Sequence, residues 1–137
     1  MEKMYGKWSQ WKPISDLPGK MYMENLTGSW GEGLEITLTT SDDSQGIKII
    51  FGAGAIISYQ CTDEGNRYKT LGFLHEKYGK DFYAKWTLFE VQDSALIKWV
   101  QEESCIGDDL QVKQFTLLTA DEVIDIITRY DPDIELL

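Results

Sequence analysis

The side chains that most often carry out acid–base, nucleophilic or metal chemistry are scarce in this chain. The only histidine, His75, lies beside Leu74 and Glu76 in a stretch with helical spacing, and the two cysteines, Cys61 and Cys105, form no CxxC pair. A zinc site needs clustered cysteine and histidine ligands, so we predict no metal site. We interpret His75 as a surface or half-buried helix residue rather than a general base. The sequence therefore indicates no catalytic residue.

Adjacent carboxylates form a second pattern that is able to do chemistry. The pairs are Asp42-Asp43, Asp63-Glu64, Glu102-Glu103, Asp108-Asp109 and Asp121-Glu122. Each pair falls at a predicted turn or helix end, where carboxylates are solvated or complement the helix dipole, so we interpret none of them as a glycosidase pair. The adjacent acids at 108–109 also fail the alternate spacing of a calcium-binding loop.

The glycine-containing segment 52–57 matches neither of the common nucleotide-binding patterns. It reads Gly-Ala-Gly-Ala-Ile-Ile, with isoleucine where a dinucleotide fingerprint has its third glycine, and no Gly-Lys-Ser or Gly-Lys-Thr follows. A hairpin turn explains these glycines better. We therefore expect no bound cofactor.

Composition and charge favour a folded acidic domain. The chain has 137 residues, 13 basic against 23 acidic, a net charge of −10, and 42% hydrophobic residues. This length predicts one domain over 1–137, and the acidity disfavours binding to nucleic-acid phosphates. Residues 101–137 hold 2 basic and 10 acidic residues, a net charge of 2 − 10 = −8, so most of the negative charge lies in the C-terminal quarter.

The start of the chain and its apolar runs bear on where the protein works. Residues 1–8 lack the apolar stretch of a secretory signal, and the apolar run 51–57 is too short to span a bilayer. We expect a cytoplasmic protein with no membrane association. In that compartment Cys61 and Cys105 are expected to be reduced, partly buried thiols.

Hydrophobic periodicity predicts strands in the first half of the chain. Residues 1–19 show no clear period and predict an irregular N-terminal arm whose tryptophans, Trp8 and Trp11, pack back onto the domain. Beyond the arm, two-residue alternation predicts a four-stranded antiparallel meander. Its strands are 20–27, 34–39, 47–51 and 56–61.

Helical spacing enters after Cys61. We predict helices near 66–78, 93–103 and 120–130, with strands at 84–91 and 110–118 between them. Thr119 and Glu122 have the spacing of a capping box and predict the start of the last helix. Arg67 is expected to make an exposed local ion pair with the nearby acids 63–64. The expected fold class is α+β, a largely antiparallel sheet with about three helices packed on one face.

The chain from Tyr59 onward resembles a group of small bacterial proteins. The resemblance is carried by the segments 59–67, 77–89, 94–104 and 115–127 and by Tyr130-Asp-Pro132. It is to small cytosolic proteins of Gram-positive bacteria that are encoded beside polymorphic toxins and regarded as their immunity proteins. The resemblance implies a non-catalytic, protein-binding module whose partner is a cognate toxin domain, and it brings no catalytic residues with it.

An acidic surface suits such a role, because many toxins of this kind act on nucleic acids and are basic. Charge complementarity raises the association rate with a basic protein. The candidate partner-binding residues are Glu102, Glu103, Asp108 and Asp109, with Trp99 as an aromatic anchor beside them. The same acids also suit an ordinary solubilising face.

Two other classes of function remain open from the sequence. The first is a small-molecule-binding or enzymatic domain with a pocket between sheet and helices, lined by Trp86 and Trp99. The second is a structural subunit that oligomerises through an exposed strand edge.

Overall fold

The structure is a computed structural model that describes residues 2–29 and 31–137, and among these the side chains of all but Glu2, Lys3 and Asp108. The strands of this part are β1 Lys7–Gln10, β2 Tyr22–Ser29, β3 Gly33–Thr39, β4 Gly46–Phe51, β5 Ile56–Asp63, β6 Leu88–Gln92, β7 Lys113–Leu118, β8 Glu122–Thr128 and β9 Asp133–Leu136. The α-helices are α1 Glu2–Tyr5, α2 Tyr68–Tyr78, α3 Lys80–Ala84 and α4 Ala95–Glu103, and short 3-10 turns cover Glu64–Asn66 and Gly107–Asp109.

The strands form two antiparallel sheets. A five-stranded sheet has the order β1-β6-β7-β8-β5, and a four-stranded sheet has the order β2-β3-β4-β9. The predicted α+β class with an N-terminal meander is confirmed, since β2, β3 and β4 follow one another in the smaller sheet. The meander has three strands rather than four, because β5 turns away after β4 and pairs with β8 in the larger sheet.

A buried apolar core fills the space between the two sheets. It contains Met21, Leu34, Ile36, Leu38, Ile47, Ile49, Phe51, Leu88, Phe115, Leu117, Ile124 and Ile126. The alternation seen in β3 and β4 places one side of each strand in this core, as predicted. Trp11 packs against the same core, with its ring 4.6 Å from that of Phe115.

Helices cover the opposite face of the larger sheet. A second apolar cluster there joins Leu74 of α2 to Trp8, Phe89, Val91, Leu118 and Val123 of the sheet. Rings of α2 and α3 extend this layer, since Tyr78 stacks on Phe82 at 4.4 Å and Phe82 contacts Phe89 at 5.2 Å. The larger sheet is therefore the middle layer, with helices on one face and the smaller sheet on the other.

The predicted irregular arm 1–19 is wrong in part. Both tryptophans pack back as expected, but Lys7–Gln10 is a strand, β1, that pairs with β6 and sets Trp8 opposite Val91. Gly6 makes this docking possible, because it has φ +79° and a Cβ there would lie 2.3 Å from the carbonyl oxygen of Gln92.

The predicted helix 120–130 is wrong, because this segment forms strand β8. Thr119 and Glu122 make the hydrogen bonds of the expected motif, with the Glu122 N–H donating to Thr119 Oγ1 at 2.8 Å, but these bonds close the hairpin between β7 and β8. All side chains of 123–128 are buried. Five of these six residues are β-branched and suit a strand that lies between two others and is covered on both faces.

The remaining predicted helices and strands lie close to their expected positions, whereas β9, α1 and α3 were not predicted. Helix α2 ends at Gly79, which has φ +90° and whose N–H donates to the carbonyl oxygen of His75 at 3.0 Å. Helix α4 is capped by Ser94, one residue after the predicted start at Asp93. Strands β6 and β7 overlap the predicted 84–91 and 110–118, and helix α3 occupies the start of the first range.

Candidate protein-binding site

Helix α4 and the 3-10 turn after it present apolar and acidic side chains together. Trp99, Glu102 and Glu103 are spaced i, i+3 and i+4 and are all exposed, as are Ile106 and Asp109 just beyond the helix. Trp99 is 55% exposed and Ile106 is 53% exposed. We call these five residues the α4 patch. Asp108, which was also predicted here, has its side chain outside the described part.

Hydrogen bonds hold the turn against the helix. The Gln101 side-chain amide donates to the carbonyl oxygen of Leu110 at 3.2 Å, and the N–H of Gly107 donates to the carbonyl oxygen of Ser104 at 3.2 Å. Val100, on the inner side of α4, is 5% exposed and fixes the helix to the domain. Hydrogen bonds and the buried Val100 therefore hold the backbone that carries the α4 patch in place.

The carboxylates of the α4 patch stand at an unfavourable end of the helix. The last turn of α4 contains Glu102 and Glu103 and no basic residue, and a helix C-terminus carries a partial negative charge. Among the side chains that the structure describes, none forms an ion pair with Glu102, Glu103 or Asp109. These carboxylates therefore do not stabilise the helix, and helix stability does not explain their presence.

The N-terminus of α4 is fixed by buried polar side chains. Ser94 is 3% exposed, accepts from the Ile97 N–H at 3.1 Å and donates to Gln114 Oε1 at 2.5 Å. The Gln114 amide in turn donates to Thr116 Oγ1 at 2.9 Å. Through these bonds the helix that carries the α4 patch is attached to the middle of the larger sheet.

The same network reaches a buried ion pair that the sequence did not indicate. Asp125 of β8 is 2% exposed and pairs with Arg67, Nη1 to Oδ2, at 2.5 Å. Its other oxygen accepts from Thr116 Oγ1 at 3.0 Å, and Gln60 Nε2 donates to Oδ2 at 3.1 Å. The expected exposed pair between Arg67 and residues 63–64 is therefore wrong. An acid inside the β-branched run 123–128 was the available signal, because a buried carboxylate requires a partner.

The histidine and the cysteines do not assemble a reactive centre. His75 is exposed, and its Nδ1 lies 3.5 Å from the Tyr83 hydroxyl. Cys61 and Cys105 are free thiols, and both are exposed rather than partly buried as predicted. Desolvation and, to a smaller extent, the Glu122 carboxylate raise the pKa of the Cys61 thiol, which disfavours the nucleophilic thiolate.

A cleft of about 300 Å³ lies between α2, α3 and the hairpin of β7 and β8, with Lys20, Glu64 and Tyr83 in its lining. The Lys20 ammonium donates to the carbonyl oxygens of Trp86 at 2.9 Å and Leu118 at 2.6 Å. Burial lowers the pKa of Lys20 to about 8, against the opposing effect of the Glu64 charge.

The two tryptophans predicted to line a pocket lie elsewhere. Trp99 is on the α4 patch. The Trp86 ring nitrogen donates to the carbonyl oxygen of Trp11 at 3.2 Å, and Lys12 Nζ stands 5.6 Å from the centre of its ring. The cleft beside Lys20 is lined by neither of them.

Among the side chains that the structure describes, no three from histidine, cysteine, aspartate or glutamate gather to hold a metal ion. No helix within residues 2–29 and 31–137 is long and apolar enough to cross a membrane. Comparison with protein-family models, with curated proteins and with solved structures gives no significant match. The class of this protein therefore rests on its own residues, and the resemblance to immunity proteins stays a prediction.

Proposed function

We propose that this chain is a non-catalytic protein-binding module that binds a basic protein domain through the α4 patch. The single observation that carries the proposal is the juxtaposition of two half-exposed apolar side chains, Trp99 and Ile106, with carboxylates that have no basic partner in the described part of the chain. Binding surfaces often combine an aromatic anchor with charged groups at its margin.

The apolar part of the α4 patch supports the affinity of such a complex. Large aromatic side chains near the centre of an interface contribute most of the binding energy when a partner removes them from water. Trp99 stands on a helix whose opposite side is buried through Val100, and its side chain has only two rotatable bonds. It is therefore presented to a partner with little loss of side-chain freedom.

The acidic part of the α4 patch supports the choice of a basic partner. Glu102 and Glu103 oppose the dipole of their own helix, a cost of about 0.3–1 kcal/mol for each such charge. A local feature that lowers stability often marks a functional site. A cationic surface placed against these side chains would relieve the repulsion and accelerate association.

The more specific part of the proposal is that the basic partner is a bacterial toxin domain and that the chain is its immunity protein, acting in the cytoplasm. This rests on the resemblance of the segments from Tyr59 onward, and the net charge of −10 is consistent with it. Neutralisation would follow from occupation of the toxin surface that holds its nucleic-acid substrate, with no chemical step.

The experiment first reads the genes that adjoin this one, where we expect a toxin domain to be encoded, and then uses that domain in a binding and protection assay. The purified toxin domain is titrated with the chain, and growth of cells that express the toxin is followed with and without the chain. We expect submicromolar binding and restored growth, and a basic protein of unrelated fold serves as the control for non-specific attraction. Equal binding to both basic proteins, or no protection, would contradict the proposal.

A small-molecule site is a second candidate function, favoured by the Lys20 amine in its cleft. A mostly apolar cleft with a few polar groups and a residue of perturbed pKa is typical of ligand sites. Screening small carboxylic acids by chemical-shift perturbation tests it. Shifts confined to the lining of this cleft would favour this function, and shifts absent at millimolar concentrations would remove it.

A further inference from the structure

Strand β5 occupies one edge of the larger sheet and leaves its outer side unpaired. It runs for eight residues, Ile56–Asp63, and pairs with β8 on its inner side. No strand of the described part pairs with its outer side. Natural sheets protect long edges with charges, prolines, bulges or a covering segment, because an open edge accepts another strand.

The register of β5 shows which backbone groups face outward. The N–H of Glu64 donates to the carbonyl oxygen of Asp121 at 2.9 Å, in continuation of the ladder that sets Asp63 opposite Glu122. Hydrogen-bonded positions alternate along an antiparallel strand. The N–H and C=O groups of Tyr59 and Cys61 therefore point away from β8. A bulge at Ile57 confines this regular edge to residues 58–63.

Charge separates this edge from the other edges of the two sheets. Residues 49–62 contain no aspartate, glutamate, lysine or arginine, so the only charged residue of β5 is Asp63 at its C-terminal end. In contrast, β1 carries Lys7, β2 carries Glu24, and β9 carries Asp133 and Glu135. Two copies of a chain with a net charge of −10 repel one another, so they approach best where neither presents a charge.

Apolar surface lies directly beside the edge. A groove of about 430 Å³ runs between β5 and the adjoining ends of β2 and β3, with Leu34, Ile56, Ile57 and Tyr59 in its lining. Tyr59 is 44% exposed. An added strand would cover the backbone groups and part of this groove together, and both contributions favour an uncharged occupant.

We propose that the occupant is β5 of a second copy of this chain, paired antiparallel across a two-fold axis. In this dimer the outward N–H and C=O groups of Tyr59 form hydrogen bonds with those of Cys61 in the second copy. By symmetry, Cys61 of the first copy pairs in the same way with Tyr59 of the second. A two-fold interface of this kind is self-complementary and closed, so it makes a dimer and not a fibre. The proposal is independent of the function assigned to the α4 patch.

The test is sedimentation equilibrium under reducing conditions, which prevent disulfides between the two exposed cysteines. We expect the average mass of the parent chain to rise with concentration from 15.7 kDa toward twice that value. Cys61→Pro removes an outward N–H without removing a bond to β8, and Tyr59→Lys places a charge on the edge. Both variants should remain at 15.7 kDa, with a circular dichroism spectrum like that of the parent.

The matched control is Tyr68→Lys, the same change at an 81% exposed position on α2, which should associate as the parent does. A parent chain that stays at 15.7 kDa up to millimolar concentration would overturn the proposal, and would leave the edge open for an extended segment of another protein. A dimer that persists in Tyr59→Lys and Cys61→Pro would also overturn it, because its interface would then lie elsewhere.

Discussion

The guanidinium of Arg67 lies 2.5 Å from the carboxylate of Asp125, although 58 residues separate them in the chain. Arg67 precedes α2, and Asp125 lies in the middle of β8. The Asp125 carboxylate also accepts hydrogen bonds from the Thr116 hydroxyl and the Gln114 amide. The side-chain oxygen of Gln114 in turn accepts from the hydroxyl of Ser94, the N-cap of α4. One buried network therefore connects the starts of α2 and α4 to the larger sheet.

The first prediction concerns the energetics of this pair. Arg67→Met leaves the Asp125 carboxylate buried without its cation, and we expect the free energy of unfolding to fall by about 3–5 kcal/mol. Adding Asp125→Asn to this variant removes the uncompensated charge and should restore part of the loss. Urea unfolding followed by circular dichroism measures the parent, each single variant and the double variant.

The exposed pair of Lys85 and Asp81 is the control for that comparison. Lys85 Nζ lies 3.8 Å from Asp81 Oδ1, and the two side chains are 78% and 83% exposed. Asp81→Asn should change the free energy of unfolding by less than about 0.5 kcal/mol. Strictly additive effects of Arg67→Met and Asp125→Asn would contradict the buried pair.

The second prediction is a pH dependence of stability that comes from Lys20. Its pKa is about 8 in the folded chain, against the ordinary value of 10.5. Between these values the unfolded chain binds more protons at this residue, so its contribution to the free energy of unfolding rises as the pH rises. It is lowest below pH 8, where the buried amine is charged in both states.

Lys20→Met isolates this contribution. We expect the difference in unfolding free energy between the parent and the variant to shift in favour of the parent as the pH goes from about 8 to 10.5. The difference should be constant between pH 6 and 7. A difference that does not change up to pH 10 would show that the folded Lys20 amine titrates like an exposed lysine.

Local patterns predicted those elements that have one wet and one buried side. Strand β3 alternates strictly and β4 does so from Ile47 onward in its burial, because each has the core on one side only. Helix α2 ends at a glycine that suits its positive φ. Strand β8 escaped prediction for the opposite reason. It is buried on both faces, so it shows no two-residue period, and its apolar residues also fit a helical spacing.

The buried network escaped prediction because it depends on contacts between distant segments. Nothing near Asp125 in the sequence identifies Arg67 as its partner, and Ser94 meets Gln114 only after α4 folds onto the sheet. The α4 patch is different. Its residues lie within eleven positions of one another, so a short stretch of sequence was enough to name Trp99, Glu102, Glu103 and Asp109.

The third prediction is that His75 takes no part in function. The side chain is exposed on α2, and its Nδ1 lies 3.5 Å from the Tyr83 hydroxyl. His75→Ala should therefore change the free energy of unfolding by less than about 0.5 kcal/mol and leave toxin binding and protection unchanged. A folded His75→Ala variant that no longer protects cells would contradict the non-catalytic proposal.

The fourth prediction concerns the acidic part of the α4 patch together with the adjacent Asp108. Glu102 and Glu103 are replaced by Gln, and Asp108 and Asp109 by Asn, in one variant. Charges at the margin of an interface act mainly on the association rate, and salt screens them over about 8–10 Å. We expect slower association with the toxin domain and a weaker dependence of the rate on salt, measured by stopped-flow fluorescence at low and high ionic strength.

A control variant changes the same number of charges on the smaller sheet. Glu24, Glu35, Asp133 and Glu135 are all exposed there, and their replacement by Gln or Asn alters the net charge equally. Asp42 is less suitable, because it is held in a turn by hydrogen bonds. These bonds, of which the one from the Ser44 side chain has the largest effect, lower the pKa of Asp42 to about 2. Equal slowing by both variants would mean that net charge alone governs association.

The fifth prediction concerns the apolar part of the α4 patch. Trp99 and Ile106 are more than half exposed, so their replacement by Ala removes little buried surface from the folded chain. We expect a change of less than about 0.5 kcal/mol in the free energy of unfolding. Trp99→Ala should nevertheless weaken toxin binding by about 2 kcal/mol or more, mainly through faster dissociation, because an aromatic anchor acts after the partner has excluded water.

The control is Tyr130→Ala, at a 65% exposed aromatic residue beyond β8, which should leave the association and dissociation rates unchanged. Isothermal titration calorimetry and surface plasmon resonance separate these outcomes, and a Trp99→Ala variant with the parent's dissociation rate would remove this side chain from the interface.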